Sequence, residues 1–301
     1  MLPDQYNVVV LDSQGNDVTP RSLLDAPGDG ESRAALIDPS ASVADLPLAS
    51  ISGGKHTDPV WGLRWVAEGK GLGEALVSIS TDGRVTQWNV QKGLEHTDLM
   101  VLRRVARQGE AVRGTISRRA AGLCLDFHAA DNLLYVAGTE DGHVLAHYFG
   151  HSGPVYRVRW SPFGAGAFLS CSADWTIKLW DAEKAAALFT FQARDPSAEP
   201  VSDVAWSPSS ATIFASATGD GRLDIWDLAQ STISPIHTDQ LDGTRLSCVS
   251  FAPSSPVLVA GGDNGVVGVY ALTGYLAEPS DCTAAQQLAA LEKVTGADAG
   301  R

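Results

Sequence analysis

Residues 150–181, GHSGPVYRVRWSPFGAGAFLSCSADWTIKLWD, hold in one stretch every part of a unit that recurs along the chain. A strand-like hexamer, Val155 to Trp160, begins apolar and ends aromatic; Ser161-Pro162 follows, where proline has no N–H to give a ladder. A second β-rich run leads into the tight turn Ala173-Asp174-Trp175, and a third closes on Trp180-Asp181, which is hairpin grammar. Working outward, the hexamer reappears as VWGLRW (60–65), GLCLDF (122–127), VSDVAW (201–206) and LSCVSF (246–251). The matching turns carry Asp82-Gly83, Asp141-Gly142, Asp220-Gly221 and Asp263-Asn264-Gly265, and the closing aromatics are Trp88, Tyr148, Trp226 and Tyr270. Asp174 to Asp220 and Asp220 to Asp263 are 46 and 43 residues apart, which suits a four-stranded repeat of about 40–45 residues.

These residues resemble the WD-repeat family, most closely in Gly150-His151 leading to Trp180-Asp181 and Lys55-His56 leading to Trp88-Asn89. The resemblance implies an all-β propeller with about five recognisable blades plus a partial N-terminal one, incomplete or open, with a short C-terminal helix. It also implies a structural tetrad of His, Ser or Thr, Asp and Trp in each blade. At the family's offsets these are His56, Ser80, Asp82 and Trp88 in one blade and His151, Ser172, Asp174 and Trp180 in another. A third blade keeps Thr218, Asp220 and Trp226 but has no histidine ahead of Val201, so its network is expected to be incomplete. Residues 51–277 form the expected propeller. Residues 1–50 read as a strand of an earlier blade, Tyr6 to Asp12, followed by an acidic linker. In residues 278–301, Asp281 to Val294 sets Leu288, Leu291 and Val294 at helical spacing with Gly296 as a stop. Packing of that helix on the propeller and docking onto a neighbouring subunit are both open.

Composition narrows the function. The 301 residues carry 22 Lys+Arg against 35 Asp+Glu, a formal charge of −13 that repels phosphate backbones and anionic lipid, so neither nucleic acid nor membrane is an expected partner. Mean hydrophobic content is ordinary at 44% and no run of about 18 apolar residues occurs. Cys124, Cys171, Cys248 and Cys282 form no C-x-x-C pair, and read as buried reduced thiols of a cytosolic chain rather than a disulfide or zinc framework. His151, Ser172 and Asp174 are the residue types of a nucleophilic triad, yet the same set recurs at the same offsets in another blade, as a hydrogen-bonding requirement of a buried sheet would produce. No G-x-S-x-G, H-E-x-x-H or G-x-x-x-x-G-K-[ST] motif is present. No catalytic, cofactor or metal site is expected; a propeller hydrolase is the enzymatic alternative.

Several segments are similar to the intermediate chains of axonemal dyneins, above all the first outer-arm type. They are Gly54-Lys55-His56-Thr57-Asp58-Pro59-Val60-Trp61, Ser78 to Val85, Leu125 to His128, Ala137 to Gly142, Leu169 to Thr176 and Asp203 to Pro208. The similarity runs from about residue 50 to 295. It implies a non-catalytic scaffold in the cytoplasm and the ciliary or flagellar axoneme, holding a dynein heavy chain beside a second intermediate chain and helping arm assembly on doublet microtubules. A general WD-repeat adaptor, such as a ubiquitin-ligase substrate receptor or a ciliary transport component, is the alternative. Two departures stand out. The family's N-terminal extension, where light chains attach, has no counterpart ahead of Tyr6, and Asp141 to Asp174 spans only 33 residues, as if one blade lacks its outer strand.

Candidate partner contacts are large aromatics near the Asp turns: Trp61 and Tyr156, each second in its strand, and Trp175, where other turns have glycine. Ordinary inter-blade packing is the competing reading for each. The basic run Arg103, Arg104, Arg107, Arg113, Arg118 and Arg119, against Glu110 alone, reads as a solvated loop or as a site for an acidic partner such as a tubulin surface.

Overall fold

The computed structural model describes residues 54–67, 74–89, 94–103, 119–129, 131, 133–144, 148–163, 166–192, 199–277 and 283–297. Five antiparallel sheets follow one another. The first orders β1 (Val60–Ala67), β2 (Glu74–Ser80), β3 (Arg84–Asn89) and β4 (Glu95–Val101) from inside outward. The second holds β5 (Gly122–Phe127), β6 (Tyr135–Thr139), β7 (His143–Val144) and β8 (Tyr148–Phe149). The third comprises β9 (Val155–Trp160), β10 (Ala167–Ser172), β11 (Thr176–Asp181) and β12 (Phe189–Gln192). The fourth comprises β13 (Val201–Trp206), β14 (Ile213–Thr218), β15 (Arg222–Asp227) and β16 (His237–Gln240), and the fifth β17 (Leu246–Phe251), β18 (Val257–Gly262) and β19 (Val267–Ala271). The inner strands touch in sequence, β1 to β5 to β9 to β13 to β17, so the sheets stack as propeller blades 1 to 5.

Blades 1, 3, 4 and 5 each carry a transverse row of large side chains at paired positions: Trp65, Leu76 and Trp88; Trp160, Phe168 and Trp180; Trp206, Phe214 and Trp226; Phe251, Leu258 and Tyr270. The rows of blades 3 and 4 are buried against the preceding blade, where Phe168 and Phe214 stack on Trp180 and Trp226 at interplanar angles of 13° and 5°. Four apolar clusters therefore sit at the four junctions, each mixing side chains of two successive blades. The row of blade 1 has no such cover among the described residues: Trp65 is 60% exposed.

Polar struts cross the same junctions. Asp126 on β5 accepts Arg64 Nε from blade 1 at 3.2 Å and the Trp160 N–H of blade 3 at 2.9 Å. Asp203 on β13 repeats the arrangement two blades on, with Arg157 Nε at 2.9 Å and the Val249 N–H at 3.1 Å. Each carboxylate thus ties three blades.

The short blade differs from expectation. Its outer strand is present, as the two-residue β8 pairing with an equally short β7. Tyr148, expected to close the third strand, lies on β8 and reaches into blade 3: its hydroxyl donates to the Ala182 carbonyl at 2.7 Å and its ring meets Phe168 edge-on. Helix α1 (Ala284–Ala297) runs through Gly296, past the expected stop. Thr283 and Gln286 form a reciprocal capping box at its start. The helix packs on the propeller: Leu291 joins the cluster between blades 3 and 4, Gln287 Oε1 accepts the Ala211 N–H at 2.9 Å, and Gln287 Nε2 donates to the Ser209 carbonyl. Cys248 is exposed, contrary to expectation, whereas Cys124 and Cys171 are buried and burial pushes the Cys124 thiol up to about 12. Residues 1–50, including the Tyr6–Asp12 segment and the linker, lie outside the described residues, as does Cys282.

Candidate functional site

The His, Ser, Asp and Trp side chains assemble as connected networks. Trp180 Nε1 donates to Ser170 Oγ at 2.8 Å, His151 Nε2 lies 2.7 Å from the same oxygen, and His151 Nδ1 lies 3.0 Å from Asp174 Oδ2. A carboxylate can only accept, so in a neutral ring Nδ1 carries the hydrogen facing Asp174, Nε2 is left as an acceptor, and the serine, itself accepting the indole N–H, donates its own hydrogen to Nε2. Blade 1 repeats this with Trp88, Ser78, His56 and Asp82 at 2.7, 2.7 and 2.9 Å. Blade 4, without a histidine, breaks into two pieces, Trp226 to Ser216 at 3.1 Å and Thr218 to Asp220.

The serine in these networks is therefore Ser78, Ser170 or Ser216, two residues before Ser80, Ser172 and Thr218. The last three serve the turn instead: Ser80 and Ser172 donate to the Asp58 and Gly153 carbonyls and accept the N–H of Asp82 and Asp174. Both sets lie on one strand face with a spacing of two, and both are hydroxyl residues, so only strand register against the tryptophan separates them. This geometry also bears on the hydrolase reading. His151 and Ser170 are fully buried, and the serine oxygen is already held by an indole, so no substrate atom can reach it.

Burial alone would raise the Asp174 carboxyl, but hydrogen bonds from His151, Thr176 and the Ser152 N–H outweigh it and hold the group well below the usual carboxylate range. Asp82 is lowered by the same balance, through His56 and the N–H groups of Arg84 and Thr57. A depressed folded-state value contributes stability above the unfolded value, near 3.9, which is lost as pH falls through the folded one. The gap in thermal midpoint between the wild type and Asp174→Asn is thus expected to be full at pH 6 and to shrink below about pH 4. A gap that stays constant down to pH 3 would contradict the assignment.

On the same end of the blades a second arrangement emerges. Every inner strand has its register shift at the same place, leaving its second residue out of the ladder: Trp61, Leu123, Tyr156, Ser202 and Ser247. A β-bulge re-aims the unpaired side chain, and all five of these side chains line one cavity of about 400 Å³ at the inner-strand ends. Trp61 and Tyr156, 58% and 40% exposed, are therefore brought together rather than packed between blades.

Trp175 does not line that cavity. It occupies the left-handed turn position (φ 65°) that Gly83, Gly142, Gly221 and Gly265 take elsewhere, with its indole 48% exposed. That backbone costs a non-glycine residue about 1 kcal/mol, so Trp175→Gly is expected to raise the thermal midpoint by roughly 2–4 °C. A lower midpoint would show that the indole makes stabilising contacts of its own. Of the arginine run, Arg103 and Arg119 face each other in an isolated bridge; Arg104, Arg107, Arg113 and Arg118 lie outside the described residues. Among the described residues no group of three His, Cys, Asp or Glu could hold a metal, and no helix is long and apolar enough to cross a membrane.

Repeated four-stranded blades closed by His–Ser–Trp networks define a WD-repeat protein, and the WD domain, G-beta repeat profile matches residues 143–181, 187–227 and 234–270. The chain is homologous to axonemal dynein intermediate chains. It is 40% identical over 258 residues to human dynein axonemal intermediate chain 4, covering 77% of this chain and 30% of that one. It is 36% identical over 146 residues to bovine dynein axonemal intermediate chain 1, covering 44% and 21%. The chain thus spans less than a third of these curated relatives, and the number 4 relative stands above number 1 in identity and coverage, so no subtype is assigned. A computationally designed protein, Ika8, aligns with a TM-score of 0.51 at 19% identity over 72% of this chain and 59% of its own, a likeness of fold alone.

Proposed function

We propose that this chain is a non-catalytic scaffold subunit of an axonemal dynein, working in the axoneme of cilia or flagella, where its propeller holds a heavy chain beside a second intermediate chain. The observation that carries this is the 40% identity to an axonemal dynein intermediate chain across 77% of the chain. A buried polar network in place of an accessible nucleophile supports the scaffold part: these side chains hold blades together and leave the bulge-lined mouth and the Trp175 turn to meet partners. An acidic partner such as tubulin at the arginine run belongs to the same reading.

Affinity purification of the tagged chain from ciliated cells, with identification of the co-purifying proteins, tests it. A dynein heavy chain and a second intermediate chain are the expected companions. Recovery of ubiquitin-ligase subunits or transport-train proteins in their place would overturn it in favour of a general adaptor.

A further inference from the structure

We infer that the chain associates head to tail with a second copy of itself, the outward face of blade 5 in one copy seating on the uncovered tryptophan row of blade 1 in the next. The inference rests on blade geometry and is independent of the dynein reading. Each interior junction joins two unlike faces. Between blades 4 and 5, the Phe251, Leu258 and Tyr270 row of blade 5 lies on Ile213, Ala215, Ala217, Leu223 and Ile225 of blade 4, a shallow bed of small and aliphatic side chains.

Blade 5 repeats that bed on its far side. In register, Val257, Val259 and Gly261 on β18 stand where Ile213, Ala215 and Ala217 stand on β14, and Val267 and Val269 on β19 match Leu223 and Ile225 on β15. The five blade 4 residues are buried, whereas Val267 and Val269 are 61% and 68% exposed. At the other end, Trp65, Leu76 and Trp88 hold the row positions of Trp206, Phe214 and Trp226. Exposed Leu63 extends the same face, since its neighbours Gly62 and Arg64 face Leu125 and Asp126 of blade 2. Among the described residues, then, one end has a row without a bed and the other a bed without a row.

No charged side chain stands at any of these nine positions, so removing apolar surface from water is the driving force. A second copy supplies both missing halves, in the pairing that the interior junctions already use; row against row, or bed against bed, occurs at none of the four. Three paired strands of six residues make a face of roughly 20 by 15 Å. That is less than the roughly 800 Å² per partner of a standard stable interface, so the association belongs to the weak class. Being heterologous, it leaves a free row and a free bed on every oligomer and is open-ended.

Sedimentation equilibrium of the full chain tests this. The weight-average mass is expected to rise at least two-fold between about 1 and about 200 μM, with species beyond the dimer. Trp65→Glu or Leu63→Glu, which spoil only the row, and Val269→Glu, which spoils only the bed, should each hold the folded chain at the mass of one copy. All three positions are exposed, so thermal midpoints at low concentration should match the wild type. An equimolar mixture of Trp65→Glu and Val269→Glu keeps one intact bed and one intact row, and should form dimers and stop there. A wild type that stays monomeric means that the faces are covered within the molecule and overturns the inference. So does association abolished by only one class of variant, which marks a face meeting its own kind, or a mixture of folded variants that fails to recombine.

Discussion

Phe168→Ala is expected to destabilise the chain by about 3–5 kcal/mol, the range for emptying a buried aromatic site, and to lower its thermal midpoint by roughly 8–15 °C. Phe168 is fully buried and central to the junction of blades 2 and 3. It meets Trp160 at 5.2 Å, Trp180 at 6.1 Å and Tyr148 at 5.0 Å between ring centroids. Each such pair adds about 0.5–1.5 kcal/mol beyond burial, and the short β7 and β8 leave the neighbouring blade little else with which to fill the gap. Leu76 supplies the comparison, because it holds the same row position on the uncovered side of blade 1. Leu76→Ala should cost only about 1 kcal/mol, since a half-buried side chain loses part of its transfer energy and leaves no sealed cavity. Equal losses in urea denaturation would mean that the rows do not draw their stability from stacking on the preceding blade.

Asp203→Ala comes second, at about 2–4 kcal/mol. Removing one member of a buried ion pair costs about 3–5 kcal/mol when the other is stranded. Here the Arg157 side chain, 30% exposed, can turn partly to water, which trims the figure. The Val249 N–H, however, loses its acceptor inside the blade 4 to 5 junction, adding about 1–3 kcal/mol before relaxation. Asp126 makes the matching strut with more solvent around both partners, so Asp126→Ala should cost about half as much. A loss at Asp203 under about 1 kcal/mol, or one no larger than at Asp126, would show that the struts are incidental to blade stacking.

Neither aspartate is recognisable from sequence as a strut. Asp203 sits inside the VSDVAW hexamer and Asp126 inside GLCLDF, at different positions, and their partners are a guanidinium from the preceding blade and a backbone N–H from the following one. Sequence spacing carries no information about which blade lies on which side. The common bulge was equally hidden. Its only trace is that the second residue of each hexamer ignores the alternation of its strand, being Trp, Leu, Tyr, Ser and Ser in turn.

The hexamers, Asp turns and closing aromatics of this chain follow from local chemistry: period-two burial, left-handed turn positions and proline at strand ends all act within a few residues. They identify the blades and the His, Asp and Trp members of the networks from sequence alone. Choosing Ser170 over Ser172, seating Tyr148 in the next blade, and gathering Trp61 and Tyr156 into one cavity needed the tertiary structure. Each depends on register between strands or on contact between blades, and period-two spacing is blind to both, because residues two apart share a face until a partner strand is placed beside them.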